Sequence, residues 1–216
     1  MSRATALDQL LRSSPQLWNS RQVAEVRARD TGFSSLNSLL PGQGWPLGAL
    51  IELLPKREGI GEMRLVLPAL KKLCQEARDI VFVRPPHLPY PPALAKAGLP
   101  LNRIVWIDAT SDEDARWVAE QTLRQGLVGA VLLWSDCTKD ISLRRLQLAA
   151  RESDALSFLY RSPQAATAAS PAALRMTLSP LPAGLQIELL KVQGGRPARI
   201  TLPPNLLPKP PSSEAA

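Results

Sequence analysis

The chain predicts an α/β fold with a mostly parallel central sheet, flanking helices and a C-terminal antiparallel hairpin. Three observations carry that prediction. Short runs apolar on both faces alternate with amphipathic stretches between residues 49 and 161. Each run is bounded by glycine, proline or a polar turn, as strands in a helix-covered sheet require. After residue 161 the texture changes to an alanine-rich stretch and then to paired strand-like segments around Gly194-Gly195.

Taken in order, residues 4–12 and 21–28 are short helical or extended pieces around Trp18. A turn-rich stretch from Thr31 to Gly48 leads into the apolar run ALIELL (49–54), a buried strand. A basic, glycine-bearing loop (55–61) follows, and then a helical pattern with Leu65, Leu67, Leu70 and Leu73 whose early turns Pro68 is expected to weaken or kink. DIVFV (79–83) is a second buried strand, the proline cluster 85–92 is expected to exclude regular helix, and ALAKAG (93–98) is a short helix stopped by Gly98. RIVWID (103–108) is strand-like. Residues 110–126 form the clearest helix, with Thr110 or Ser111 as N-cap, three acids in its first turn and Gly126 closing it. AVLLWSD (130–136), ISLRRLQLAARES (141–153) and ALSFLYR (155–161) complete the alternation as strand, helix and strand. Residues 162–173 are expected to be low-complexity loop. The expected organisation is an N-terminal extension (1–30), one domain (31–202) and a proline-rich disordered tail (203–216).

A chain of 216 residues with 45% hydrophobic content is long enough to bury a core without a metal or disulfide staple. No apolar run spans a bilayer, the first twenty residues do not read as a signal peptide, and Cys74 and Cys137 stand alone. These features predict a cytoplasmic protein with no membrane association, no metal site and no cofactor. The net charge of +7 is spread thinly: +2 over 1–60, +3 over 61–110, −2 over 111–160 and +4 over 161–216. Charge alone does not decide between a phosphate track and an acidic protein partner.

Residue order says more. The block TGFSSLNSLLPGQGWPLGALIEL (31–53) resembles the opening of the RecA-type ATPase core, and ELLPKREGIGEMRLVLPAL (52–70) keeps that family's order of strand, phosphate loop and helix. ALAKAGLPLNRIVWID (93–108) and GLQIELLKVQGGRPARI (184–200) fit later segments of the same core. Closer still is the resemblance to the ImuA family of degenerate RecA-like proteins, carried by Trp18, LPGQGWPLGALIELL, GIGEMRLVLPAL and the LRMTLSP–GLQIELLKVQGGRP ending. The related SulA family of division inhibitors shares the G-x-L-I-E strand (48–52) and the A-x-A-G-L-P-L segment (95–101), and is not expected to carry residues 174–202.

The resemblance implies a RecA-like core whose chemistry is lost. With Gly61 as the second glycine of G-x-x-x-x-G-K-[ST], Glu62 replaces the lysine and Met63 the magnesium-binding hydroxyl. A carboxylate there repels phosphate, so Gly59, Gly61, Glu62, Met63 and Arg64 mark a degenerate loop, which Lys56 and Arg57 do not restore. Pro86 stands near the place of the water-activating glutamate, and Asp136 is a strand-end acid. His87, the only histidine, has no catalytic partner nearby in sequence. We therefore expect no catalytic residue and no ATPase. The ImuA resemblance implies an adaptor in SOS-induced translesion DNA synthesis, working with an ImuB-like protein, RecA and, indirectly, an error-prone DnaE-type polymerase. The SulA resemblance implies instead a division inhibitor that binds FtsZ; a divergent ATP-dependent recombinase is a third reading. Arg144, Arg145, Arg175, Arg196 and Arg199 are the candidate contacts to partners or nucleic acid, beside Arg161; Arg144 and Arg145 equally fit a solvated helix edge. Trp18, Trp45 and Trp106 are candidates for either core or partner surface.

Overall fold

The computed structural model describes residues 26–136 and 140–205. The expectations for residues 4–12, Trp18, Cys137 and the stretch from 206 onward fall outside the described residues. The elements run β1 (Ala28–Arg29), α1 (Ser34–Asn37), β2 (Trp45–Pro46), β3 (Leu50–Pro55), α2 (Glu62–Gln75), β4 (Ile80–Val83), α3 (Pro91–Lys96) and β5 (Ile104–Ile107). They continue with α4 (Asp112–Gln125), β6 (Ala130–Trp134), α5 (Asp140–Arg151), β7 (Leu156–Tyr160), β8 (Leu174–Leu181), β9 (Gly184–Val192) and β10 (Ala198–Leu202). β1 and β2 pair separately as a two-stranded antiparallel ribbon.

The main sheet has eight strands in the order β10-β9-β8-β3-β7-β6-β4-β5. The pairs from β5 across to β8 are all parallel, whereas β8–β9 and β9–β10 are antiparallel. The sheet is therefore mixed. The expected hairpin is no separate appendage, because β8 lies parallel to β3 with Glu52 beside Arg175. Gly194-Gly195 falls between β9 and β10, as expected.

Burial follows the alternation of strand side chains. Ile51, Leu53, Phe82, Leu132 and Phe158 point to the face covered by α2 and by Phe33, Leu36, Leu40 and Trp45. Leu50, Val81, Val83, Val131 and Leu159 point to the face covered by α4 and α5. Trp45 is fully buried and meets Phe158 edge to face at 5.3 Å, so it belongs to the core. Cys74 is buried too. β3 is buried from Leu50 to Leu54.

Three local expectations change. α2 runs unbroken from Glu62 to Gln75 through Pro68. Pro68 removes one helix hydrogen bond, but Leu65, Val66, Leu70 and Leu73 bury against the sheet, and that packing holds the helix. Gly32, at φ +88°, fits against Pro68 so closely that an added Cβ would meet its ring at 2.4 Å. α3 begins inside the proline cluster, with Pro91 and Pro92 at the first two helical positions where a missing N–H costs nothing. The alanine-rich stretch is a packed 3-10 turn (Pro163–Thr167) with Ala165 and Ala172 buried. α4 keeps its predicted ends: the Ser111 side chain accepts from the Asp114 N–H, and Gly126 closes the helix at φ 66°. Among the described residues no helix is long and apolar enough to cross a membrane.

Candidate functional site

Parallel strands of this sheet end on one edge, and loops following strand ends in α/β proteins are where ligands and partners are met. A cleft of about 960 Å³ opens there, between the loop after β3, the Arg84–Pro86 turn after β4 and the ends of β6 and β7. Its floor is aromatic: Trp134 and Tyr160 stack at 4.6 Å, nearly parallel. Burial and the charge of Glu62 push the Tyr160 phenol well above its ordinary pKa, and its hydroxyl donates to the Met63 sulfur at 3.6 Å. A second hollow of about 810 Å³ lies between Leu39–Gly42 and Gly194-Gly195, and no titratable side chain lines it.

The loop entering α2 turns its glycine amides onto the chain's own carboxylate. Gly59 and Gly61 both take positive φ, at 72° and 105°. Their N–H groups turn inward and donate to Glu62, Gly59 to Oε1 at 2.9 Å and Gly61 to Oε2 at 3.0 Å. The Glu62 carboxylate thus satisfies the loop's inward amides and sits at the positive end of α2. Met63 is turned toward the core and packs against it. Arg64 is partly buried, which lowers its guanidinium pKa. Lys56 and Arg57 project from the loop, exposed.

The other stations of the cleft carry structural bonds. Arg84 sits at φ 53°, strained for a non-glycine residue, and its guanidinium approaches Asp112 at 3.4 Å. Asp136 accepts the Ser162 N–H at 2.6 Å and so ties the end of β6 to the segment after β7. His87 does have a carboxylate partner, Glu58, at 2.7 Å, brought together from 29 residues apart. Both are exposed, and among the described residues no hydroxyl or thiol is bonded to either. No cluster of three or more metal-ligating side chains exists among the described residues.

The five arginines proposed as contacts do not converge. Arg144 pairs with Asp140 at 2.7 Å and Arg145 with Glu120 at 2.9 Å along the α4–α5 surface. Arg196 is exposed before β10, and Arg199 on β10 pairs with Glu188 at 2.7 Å. Arg175 is not a surface residue at all. It is 6% exposed, gives its Nε–H to Glu52 at 2.6 Å, and donates to the carbonyls of Ala165 and Ala168 at 2.7 and 2.9 Å. Arg161 meets the same carboxylate at 3.3 Å, and the Ser170 hydroxyl donates to it as well. Glu52 is fully buried. Sequence reading missed this network; its one local signal is an acid in the middle of the apolar run ALIELL, which must find cations when buried.

The stretch from Gly48 at the start of β3 to Ser157 in β7 contains the loop, α2, the cleft and most of the parallel sheet. The family model described as cell division inhibitor SulA matches residues 48–157, just over half of the chain. The chain belongs to the SulA family. It is 32% identical over 98 residues to a protein named cell division inhibitor SulA from Photorhabdus laumondii subsp. laumondii, covering 45% of this chain and 55% of that one. The chain thus spans about half the length of the curated relative it matches. These matches favour the division-inhibitor reading over the ImuA reading preferred on sequence. They lend no support to ImuB-like, RecA or DnaE-type partners.

Proposed function

We propose that this SulA-family protein is a non-catalytic inhibitor of cell division, acting by binding another protein, with FtsZ as the partner the family resemblance suggests. The observation that carries the reading is the family match over residues 48–157. The absence of hydrolysis is part of the proposal, and the Glu62 carboxylate bonded to the Gly59 and Gly61 amides supports it. A nucleotide phosphate would have to displace an anion covalently attached one residue away. A RecA-like ancestry for the core belongs here as well. It is supported by the strand–loop–helix order of β3 and α2, by the short helix α3 before β5, and by the late β9–β10 hairpin.

The test is expression of the full chain in growing bacteria, with cell length and DNA synthesis scored together, beside sedimentation of purified FtsZ polymers with and without the protein. Filamentation with normal DNA synthesis and less sedimented FtsZ is the expected result. Normal cell length and unchanged FtsZ polymer would defeat the reading. One observation keeps a second reading in view: residues 174–202, which form β8–β10, lie outside the matched region. An adaptor role of the ImuA kind in SOS mutagenesis predicts capture of an ImuB-like protein or RecA by the purified chain.

A further inference from the structure

We propose, on the reading that this chain acts by binding another protein, that the cleft at the strand ends takes an extended acidic segment of the partner, with two carboxylates about four residues apart and one apolar side chain between them. Sheet order sets that spacing. β7 and β6 lie between β3 and β4. The loop after β3, bearing Lys56 and Arg57, therefore forms one wall and Arg84 at the end of β4 the other, with Tyr160 and Trp134 between them. Three strand spacings separate the walls by about 14 Å, and an extended chain rising about 3.3 Å per residue crosses that gap in about four residues. Side chains two apart in an extended chain share a face, so an acid, an apolar residue and a second acid at alternate positions all point into the cleft. The apolar one meets Trp134, whose half-buried ring is fixed by Tyr160 stacked against it and by Phe82 at 6.2 Å. A ring already held in place loses little freedom on contact.

The charges lining the cleft divide into committed and available ones. Glu62 accepts the Gly59 and Gly61 amides, Glu58 meets His87, Asp136 accepts the Ser162 N–H and Asp112 holds Arg116. Lys56 and Arg57 are exposed on their loop. Arg84 is exchangeable. At 3.4 Å it is the more distant of two cations on Asp112, so an incoming carboxylate can take its guanidinium in a charge-assisted bond and leave Asp112 with Arg116. The backbone holds Arg84 ready: its N–H donates to the Ile107 carbonyl at 2.9 Å while φ stays at 53°, a strain of the kind found at ligand clamps. The acids also select the occupant. Glu58, Glu62, Asp108, Asp112 and Asp136 all line the cleft and repel a continuous phosphate chain. Two single carboxylates reach the cationic walls without passing them. The partner surface is therefore an acidic peptide and not a nucleic acid.

Fluorescence anisotropy tests this, with the full purified chain titrated into the labelled peptide Gly-Ser-Asp-Gly-Phe-Gly-Asp-Ser-Gly. Saturable binding is expected. Arg84→Gly removes the guanidinium at a position whose positive φ suits glycine. It should stay folded by circular dichroism and bind at least about tenfold more weakly. Lys56→Ser with Arg57→Ser, confined to an exposed loop, should do the same. A peptide of the same composition with its two aspartates adjacent, and one with alanine in place of phenylalanine, should each bind at least about fivefold more weakly than the first. No saturable binding up to about 1 mM chain overturns the proposal. So does equal affinity for the adjacent-acid peptide, which marks diffuse attraction to a positive chain, or binding unchanged in Arg84→Gly. Tighter binding of a short oligothymidylate than of the peptide overturns it in favour of nucleic acid. Peptide binding of the expected pattern in a chain that leaves cell length normal defeats the division reading and upholds this one; filamentation by a chain that binds no peptide does the reverse.

Discussion

Replacing Glu52 by glutamine should be the most damaging single-atom-scale change in the protein. The Glu52 side chain is wholly buried, and the two arginines it neutralises are 1% and 7% exposed, so none of the three reaches water to compensate. Glutamine keeps the shape but removes the charge, and it offers an amide donor to guanidinium donors. Breaking a buried ion pair from one side costs about 3–5 kcal/mol, because a charge is left uncompensated. Here Glu52 faces two buried guanidinium groups, and an expected loss of about 5 kcal/mol follows where both depend on it. For a chain of this size that is a fall in Tm of about 10–20 °C. Urea denaturation should show a lower midpoint at unchanged slope. A companion variant, Glu52→Leu with Arg161→Met and Arg175→Met, removes the charges together and should recover most of the loss. If Glu52→Gln lies within about 1 kcal/mol of wild type, the argument fails, and the 162–173 segment must swing away to let water reach both arginines.

Three further outcomes are expected. Glu62→Ala leaves the Gly59 and Gly61 amides without their acceptor and strips the first turn of α2 of its acid, so about 1 kcal/mol should be lost in urea titrations, with faster hydrogen exchange at both amides. Ser111→Ala removes the N-cap of α4 and should cost about 1 kcal/mol by the same measurement. Asp30, held down to a pKa of about 2 chiefly by the Lys72 ammonium and also by the Asn37 amide and the Gly32 N–H, binds its proton more readily in the unfolded chain. Its contribution is present above the ordinary carboxylate pKa and is lost as pH falls from about 4 through about 2; with the side chain half exposed it amounts to at most about 1 kcal/mol. Asp30→Asn should flatten the acid limb of a Tm-against-pH curve over that window, and an unchanged limb would contradict the assignment.

What the sequence made legible was local. α4 could be read to within two residues because its cap, its acidic first turn and its closing glycine all lie inside the element. The buried strands β3, β4, β6 and β7 were visible because a helix-covered parallel sheet needs continuous apolar runs. What stayed hidden depends on distance. Glu52 meets Arg161 and Arg175 across 109 and 123 residues, so Arg175 looked like a spare surface cation when it is a core one. The direction of β8 beside β3 was equally illegible, since the Gly194-Gly195 hairpin signal fixes only how β9 meets β10. Glu62 is the instructive intermediate case. The sequence placed it at the start of a helix after a glycine-bearing loop, but did not show that its carboxylate folds back to accept the Gly59 and Gly61 amides.

That fold-back bears on the positive charge of the chain. Arg161 and Arg175 are consumed inside by Glu52, while Arg144, Arg145 and Arg199 each face a carboxylate. Among the described residues, Lys56 and Arg57 are different: they stand on the loop that Glu62 braces, exposed and in no ion pair. An anion seat already filled by the chain leaves this loop nothing to grip within, and its two cations point outward. A loop with a fixed backbone loses little conformational entropy when another surface closes on it, which favours a role in contact over a role in chemistry. Lys56→Glu with Arg57→Glu should therefore weaken binding to an acidic protein partner and steepen no pH or nucleotide dependence. Titration of that partner against both forms, at two salt concentrations, separates this from a spread-out electrostatic attraction, because only a localised contact would lose most of its salt sensitivity with two residues.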